Sequence, residues 1–123
     1  MESILTSIKK MLGIQEDYEH FDAELIMHIN SVLMSLTQIG VGPSEGFIIE
    51  DDTSLWTDLI EDPNKLGPAK SYVYLKVKLL FDPPASSATM ESFKQLASEF
   101  EWRLNVAVES NNAEGEEEIQ NEE

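Results

Sequence analysis

Residues 64–81 read NKLGPAKSYVYLKVKLLF, and this stretch supports two incompatible structures. Val73, Leu75, Val77, Leu79 and Phe81 alternate with Tyr72, Tyr74, Lys76 and Lys78, the period-two pattern of a half-buried strand. The same residues also suit a helix. Gly67 and Pro68 mark a start, about twelve residues follow, and Tyr72/Val73, Lys76/Val77 and Leu79/Leu80 form a broad face. The first reading puts a sheet at the centre of the protein and the second makes it helical. Local pattern alone leaves both open.

The segment stops at Pro83 and Pro84, because a tandem proline removes hydrogen-bond donors and restrains the residue before it. Beyond it, Ser86, Ser87 or Thr89 can cap a helix whose apolar stripe runs Met90, Phe93, Leu96/Ala97, Phe100, Leu104 and Ala107. The prolines therefore turn two core elements against each other and do not divide two domains. Trp102 lies off that stripe, a position equally compatible with a wide core face and with an exposed contact.

Upstream, the spacing predicts a helix over about Ser3 to Leu12, striped by Ile4, Ile8 and Met11 and ended by Gly13. Lys9 and Lys10 suit its negatively polarised end and read as a solvated pair. A longer helix is predicted from Asp22 to Ile39, with Phe21, Leu25, Ile29, Val32, Leu36 and Ile39 on one face and Gly40 as its stop. The loop GVGPSEGFIIEDD offers a short extended candidate at Phe47 to Ile49. Its glycines lack the Gly-Lys-Ser/Thr of a phosphate loop. Asp51, Asp52 or Thr53 is placed to cap a short helix carrying Leu55/Trp56 and Leu59/Ile60.

A chain of 123 residues fits one domain with one core. No apolar run approaches the roughly 20 residues that span a bilayer, and the start MESILTSIKK does not resemble a signal peptide, so a cytoplasmic origin without membrane attachment is the expectation. The formal charge is −16, from 24 acids against 8 Lys and Arg. Seven of the acids fall in residues 109–123, which hold no base; residues 1–108 still carry 17 acids against 8 bases. Such a body repels a phosphate backbone, which argues against a duplex-coating or groove-reading protein. The expected organisation is a helical domain over 1–108 followed by an acidic flexible tail over 109–123, whose composition does not support a packed core.

No residue pattern specifies catalysis. Without cysteine, and with His20 and His28 eight residues apart, no zinc set is complete, and His28 reads as a structural histidine. The acids of EDDTSLWTDLIED lack the spacing and central glycine of an EF-hand loop, so they read as caps and solvated carboxylates. No cofactor, metal or catalytic residue is expected. The candidate protein-contact residues are Trp56, Trp102, Asp51 and Asp52.

Taken in order, ILTSIKKMLGIQEDYEHFDAELIMHINSVLMSLTQIGVGP, LWTDLI, AKSYVYLKVKLLFDPP and FKQLASEFEWRLNV resemble the tailed-bacteriophage head–tail connector (adaptor) family over approximately residues 2–108. The resemblance implies that Ala69–Phe81 is helical, within a mainly α, compact small domain of approximately four or five helices. It implies a ring-forming homo-oligomer of about twelve copies, closed by rotational symmetry. The ring would sit between the capsid portal and a tail-side connector or stopper protein at the virion head–tail junction, after assembly in the host cytoplasm. DNA would pass through it without sequence-specific recognition, and no reaction would be catalysed. The alternative left by composition is a small acidic regulatory or chaperone-like module that binds a basic partner; a small hydrolase would need a closed pocket and a coupled acid or nucleophile.

Overall fold

Residues 63–81 form a helix. The structure, a computed structural model, describes residues 2–121, with side chains described as far as Glu109. Five helices follow one another: α1 Ile4–Met11, α2 Asp22–Ile39, α3 Trp56–Leu59, α4 Pro63–Phe81 and α5 Ser87–Asn121. Among the described residues there is no sheet, only an isolated antiparallel bridge between Ser3 and Leu55. The protein is thus a mainly α, compact helical domain.

The disputed segment is helical because α4 is covered by both of its large neighbours. It packs most extensively against α5 and next against α2. Tyr72, Val73, Leu75 and Val77 are buried, and Tyr74, Lys76, Lys78 and Leu79 are half-buried. A helix covered on two sides has apolar residues on more than one face, and its sequence then mimics alternation. The start expected at Gly67 and Pro68 is corrected to Pro63. The Asp62 side chain accepts a hydrogen bond from the Asn64 N–H at 3.0 Å, and Pro63 takes the first helical position, where its missing N–H costs nothing. Pro68 is accommodated inside the helix, near its N-terminal end.

α1 ends as its glycine predicts. Gly13 takes φ +81, and the N–H groups of Gly13 and Ile14 donate to the Lys10 and Lys9 carbonyls, a Schellman arrangement. Ile4 and Ile8 are buried, but Met11 is exposed, so the stripe is one turn shorter than expected. α2 has the predicted bounds. Gly40 ends it at φ +99, and a Cβ there would lie 3.1 Å from Val108 on α5, so the stop is also a close helix–helix approach. Leu25, Ile29, Val32, Leu33 and Leu36 fill the core beneath it, each removing apolar surface worth roughly 1.5–3 kcal/mol.

The expected extended piece at Phe47 to Ile49 forms no strand. The Asn30 side chain takes the place of a neighbouring strand: its amide donates to the Ile49 carbonyl at 2.9 Å and its oxygen accepts the Ile49 N–H at 2.8 Å. Ser86 caps α5, accepting at its hydroxyl from the Thr89 N–H, so Pro83 and Pro84 turn α4 into α5 within one core. α5 is helical to Asn121, and nearly all of the acidic tail expected over 109–123 falls on residues whose side chains lie outside the described ones.

Candidate functional site

The four residues singled out from sequence separate into distinct environments. Trp56 is 2% exposed, and its indole Nε1–H donates to the Ser7 hydroxyl at 2.6 Å, beneath the point where Ile4 N–H donates to the Ser54 carbonyl. Trp56, expected as a contact residue, is thus buried within the single chain. Its ring joins the core and fastens α1 to the start of α3, which satisfies a buried indole donor that would otherwise be costly. Sequence pattern missed this partner because Ser7 lies 49 residues away.

Asp51 and Asp52 are exposed, as predicted, but neither caps α3. Asp51 instead closes a local turn, its carboxylate accepting from the Thr53 hydroxyl and backbone N–H, and these bonds hold its pKa below the usual carboxylate value. Asp58 caps α3 by reaching back to the Leu55 N–H at 2.8 Å. Asp51 and Asp52 share a shallow acidic hollow with Glu19, Asp22 and Glu50. Among the described residues no group of three His, Cys, Asp or Glu is arranged to hold a metal ion. His28, on α2, meets the Phe81 ring of α4 edge-on, 3.7 Å from a Glu24 oxygen, while His20 makes tilted and edge-on contacts with the Tyr18 and Phe21 rings.

Lys9 departs from the solvated role expected of it. Its side chain is 3% exposed, and the ammonium lies 2.9 Å from Asp22 Oδ1 and donates to the Glu16 carbonyl at 2.9 Å. Lys10 keeps the expected role, paired at the surface with Glu2, which raises its pKa.

Trp102 is 65% exposed and so does not belong to a wide core face. Ala97 and Leu104 turn inward on α5, and Trp102 projects from the other side of the helix with Val106 one turn further along. Two more exposed apolar areas were not singled out from sequence. One is the outer face of α2, with Met27 and Met34 exposed and Met34 lining a hollow together with exposed Ile48 of the following loop. The other is a groove between α4 and α5, lined by Met11, Tyr74, Leu96 and Phe100. The readable signal was that Met27 and Met34 are seven residues apart, on the α2 face opposite the predicted core stripe. Contiguous exposed apolar surface on a small domain marks protein contact more often than chance.

No helix among the described residues is long and apolar enough to cross a membrane. Neither a curated protein nor a solved structure matches the chain. Residues 4–111 match the family described as Phage connector protein, a span that takes in α1 to α4 and the packed part of α5. The chain belongs to the phage connector protein family.

Proposed function

We propose that this protein is a virion structural adaptor that assembles as a ring between the capsid portal and the tail and gives DNA a passive passage. The observation that carries the reading is the family match over residues 4–111, which covers the whole helical body. The body also leaves apolar side chains exposed on more than one element, as a subunit with neighbours on several sides requires. Its partners are further copies of itself, the portal, and a tail-side connector or stopper protein. It works at the head–tail junction after assembly in the host cytoplasm, and it acts without catalysis.

An acidic chain suits a conduit. A basic wall would bind phosphates and release counterions, holding the DNA that must pass, whereas carboxylates repel it. The net charge of −16 also opposes premature association of free copies. Electron microscopy of the protein with and without its matched portal tests the reading. A symmetric ring on the tail-facing end of the portal is the expected result; consistent failure to join an intact matched portal would sink it.

A further inference from the structure

A run of 20 residues, Leu25 to Ser44, contains no Asp, Glu, Lys or Arg in a chain that is 26% charged. The core does not account for all of it. Leu25, Ile29, Val32, Leu33 and Leu36 are buried, but Met27, Ser31, Met34 and Gln38 face outward on α2. Met27 is 59% exposed and Met34 64%, and Ile48, which shares a hollow with Met34, is 63% exposed. Under this face lies a hollow of about 360 Å³ lined by Asn30, Met34, Thr37, Phe47 and Ile48, with Glu45 as its one acid.

We propose that this uncharged face receives Trp102 and Val106 of a second copy of the chain, head to tail. The idea deepens the ring reading above and rests on it only for the expectation that copies meet. Charge selects the occupant. Two bodies that each carry an excess of acid come together most readily where at least one side is poor in carboxylates, and the outer α2 face between Leu25 and Ser44 is such a place, with Glu24 and Glu45 only at its edges. The α5 face that bears Trp102 also carries Glu109 and the Glu99–Arg103 pair, so it holds an excess of acid and two such faces would repel each other, whereas the α2 face opposes it with Met, Ser and Asn.

Geometry points the same way. α4 packs against both α5 and α2, while α2 and α5 touch far less, and Val108 of α5 approaches Gly40 just past the end of α2. Met27 and Met34 are exposed on α2, and Trp102 and Val106 are exposed on α5. An interface between unlike faces is heterologous, and it propagates into a ring when its rotation closes. Methionine side chains adapt readily to an aromatic ring, and sulfur–aromatic contact is favourable. A tryptophan seated in a mainly apolar hollow has the composition of an interface hot spot.

The chain has no cysteine, so single introduced thiols report contacts without background. Ser31 and Ser98 are exposed beside Met34 and Trp102, and Ser31→Cys and Ser98→Cys leave both apolar sets intact. At millimolar protein in about 1 M salt, where the screening length is roughly 3 Å, oxidation of the mixed variants should give a disulfide dimer between unlike chains. Each variant alone should give little, and the double variant should give a ladder of larger products. Trp102→Ala, at an exposed helical position, should leave the fold intact and weaken association about 30-fold, equivalent to ~2 kcal/mol. Equal or better cross-linking of either variant with itself, or no cross-link in the mixture, overturns the proposal. Neither result bears on whether the protein joins a portal, which the microscopy above decides.

Discussion

The Lys9 ammonium ties the end of α1 to the following loop through the Glu16 carbonyl and to the start of α2 through Asp22, all within the protein. Asp22 Oδ1 is itself buried and has no well-aimed hydrogen bond, so the ion pair is what compensates its desolvation. Lys9→Met keeps the apolar stem and removes the charge, leaving that oxygen and the Glu16 carbonyl unserved. Because the Asp22 side chain is still 27% exposed, the expected loss is about 1–3 kcal/mol, below the range for a fully buried pair. Lys10→Met should change stability by less than about 0.5 kcal/mol, since its pair with Glu2 is at the surface. Urea unfolding midpoints of the two variants test the contrast, and equal losses would show that Lys9 is not an internal tie. Tyr72 sets a second expectation. Burial and the nearby Glu101 carboxylate raise its pKa above 10.0, against a smaller opposing effect of the Ser35 hydroxyl. The unfolded chain therefore ionises this phenol first. The native state is favoured fully below about pH 10, and stability falls as pH rises from there through the raised folded pKa. Tyr72→Phe should flatten part of that alkaline fall in the unfolding midpoint; an unchanged slope would mean that the phenol titrates freely in the fold.

At the scale of elements, legibility followed how each helix is covered. α2 was readable to the residue because one face is buried and the other solvated, and because Gly40 supplies a left-handed stop. α4 was ambiguous because it lies against two helices, so its buried set spans Tyr72 and Val73 as well as Leu75 and Val77, and no single face stands out. Its start was misplaced because Asp62–Pro63 and Gly67–Pro68 are both plausible openings, and only the Asp62 cap decides. The environments of the two tryptophans were half legible. Trp102 was recognised as off the stripe, whereas the burial of Trp56 was not foreseen because its indole partner is remote in sequence. α5 carries the element-scale prediction. Its inward contacts run from Ala97 and Phe100 through Leu104 to Val108, which reaches the Gly40 turn. Removal of everything after Val108 deletes seven acids and only two apolar side chains, Ala113 and Ile119. The shortened chain should keep its midpoint of thermal unfolding within about 4 °C, the shift that a change near 1 kcal/mol produces in a domain of this size. Broad loss of amide protection within α2 and α4 would show instead that the acidic segment is part of the packed body.

For the whole molecule, charge and apolar surface pull in opposite directions, and their balance depends on salt. A formal charge of −16 over 123 residues keeps identical copies apart at low ionic strength. The exposed Met27, Met34, Ile48, Trp102 and Val106 favour contact at any ionic strength, because burial of apolar surface is not screened. Between about 0.1 M and 1 M salt the screening length contracts from roughly 10 Å to 3 Å, removing repulsion between surfaces that do not touch. Self-association should therefore strengthen with salt, on the order of tenfold across that range, as measured by sedimentation of the wild-type chain. Docking onto a portal has the opposite expectation if acids such as Asp51 and Asp52 meet a basic partner surface, because screening then weakens an attraction. Two titrations on one protein thus separate the two kinds of contact by sign. Self-association that weakened as salt rose would place ion pairs, and not the uncharged α2 face, at the contact between copies.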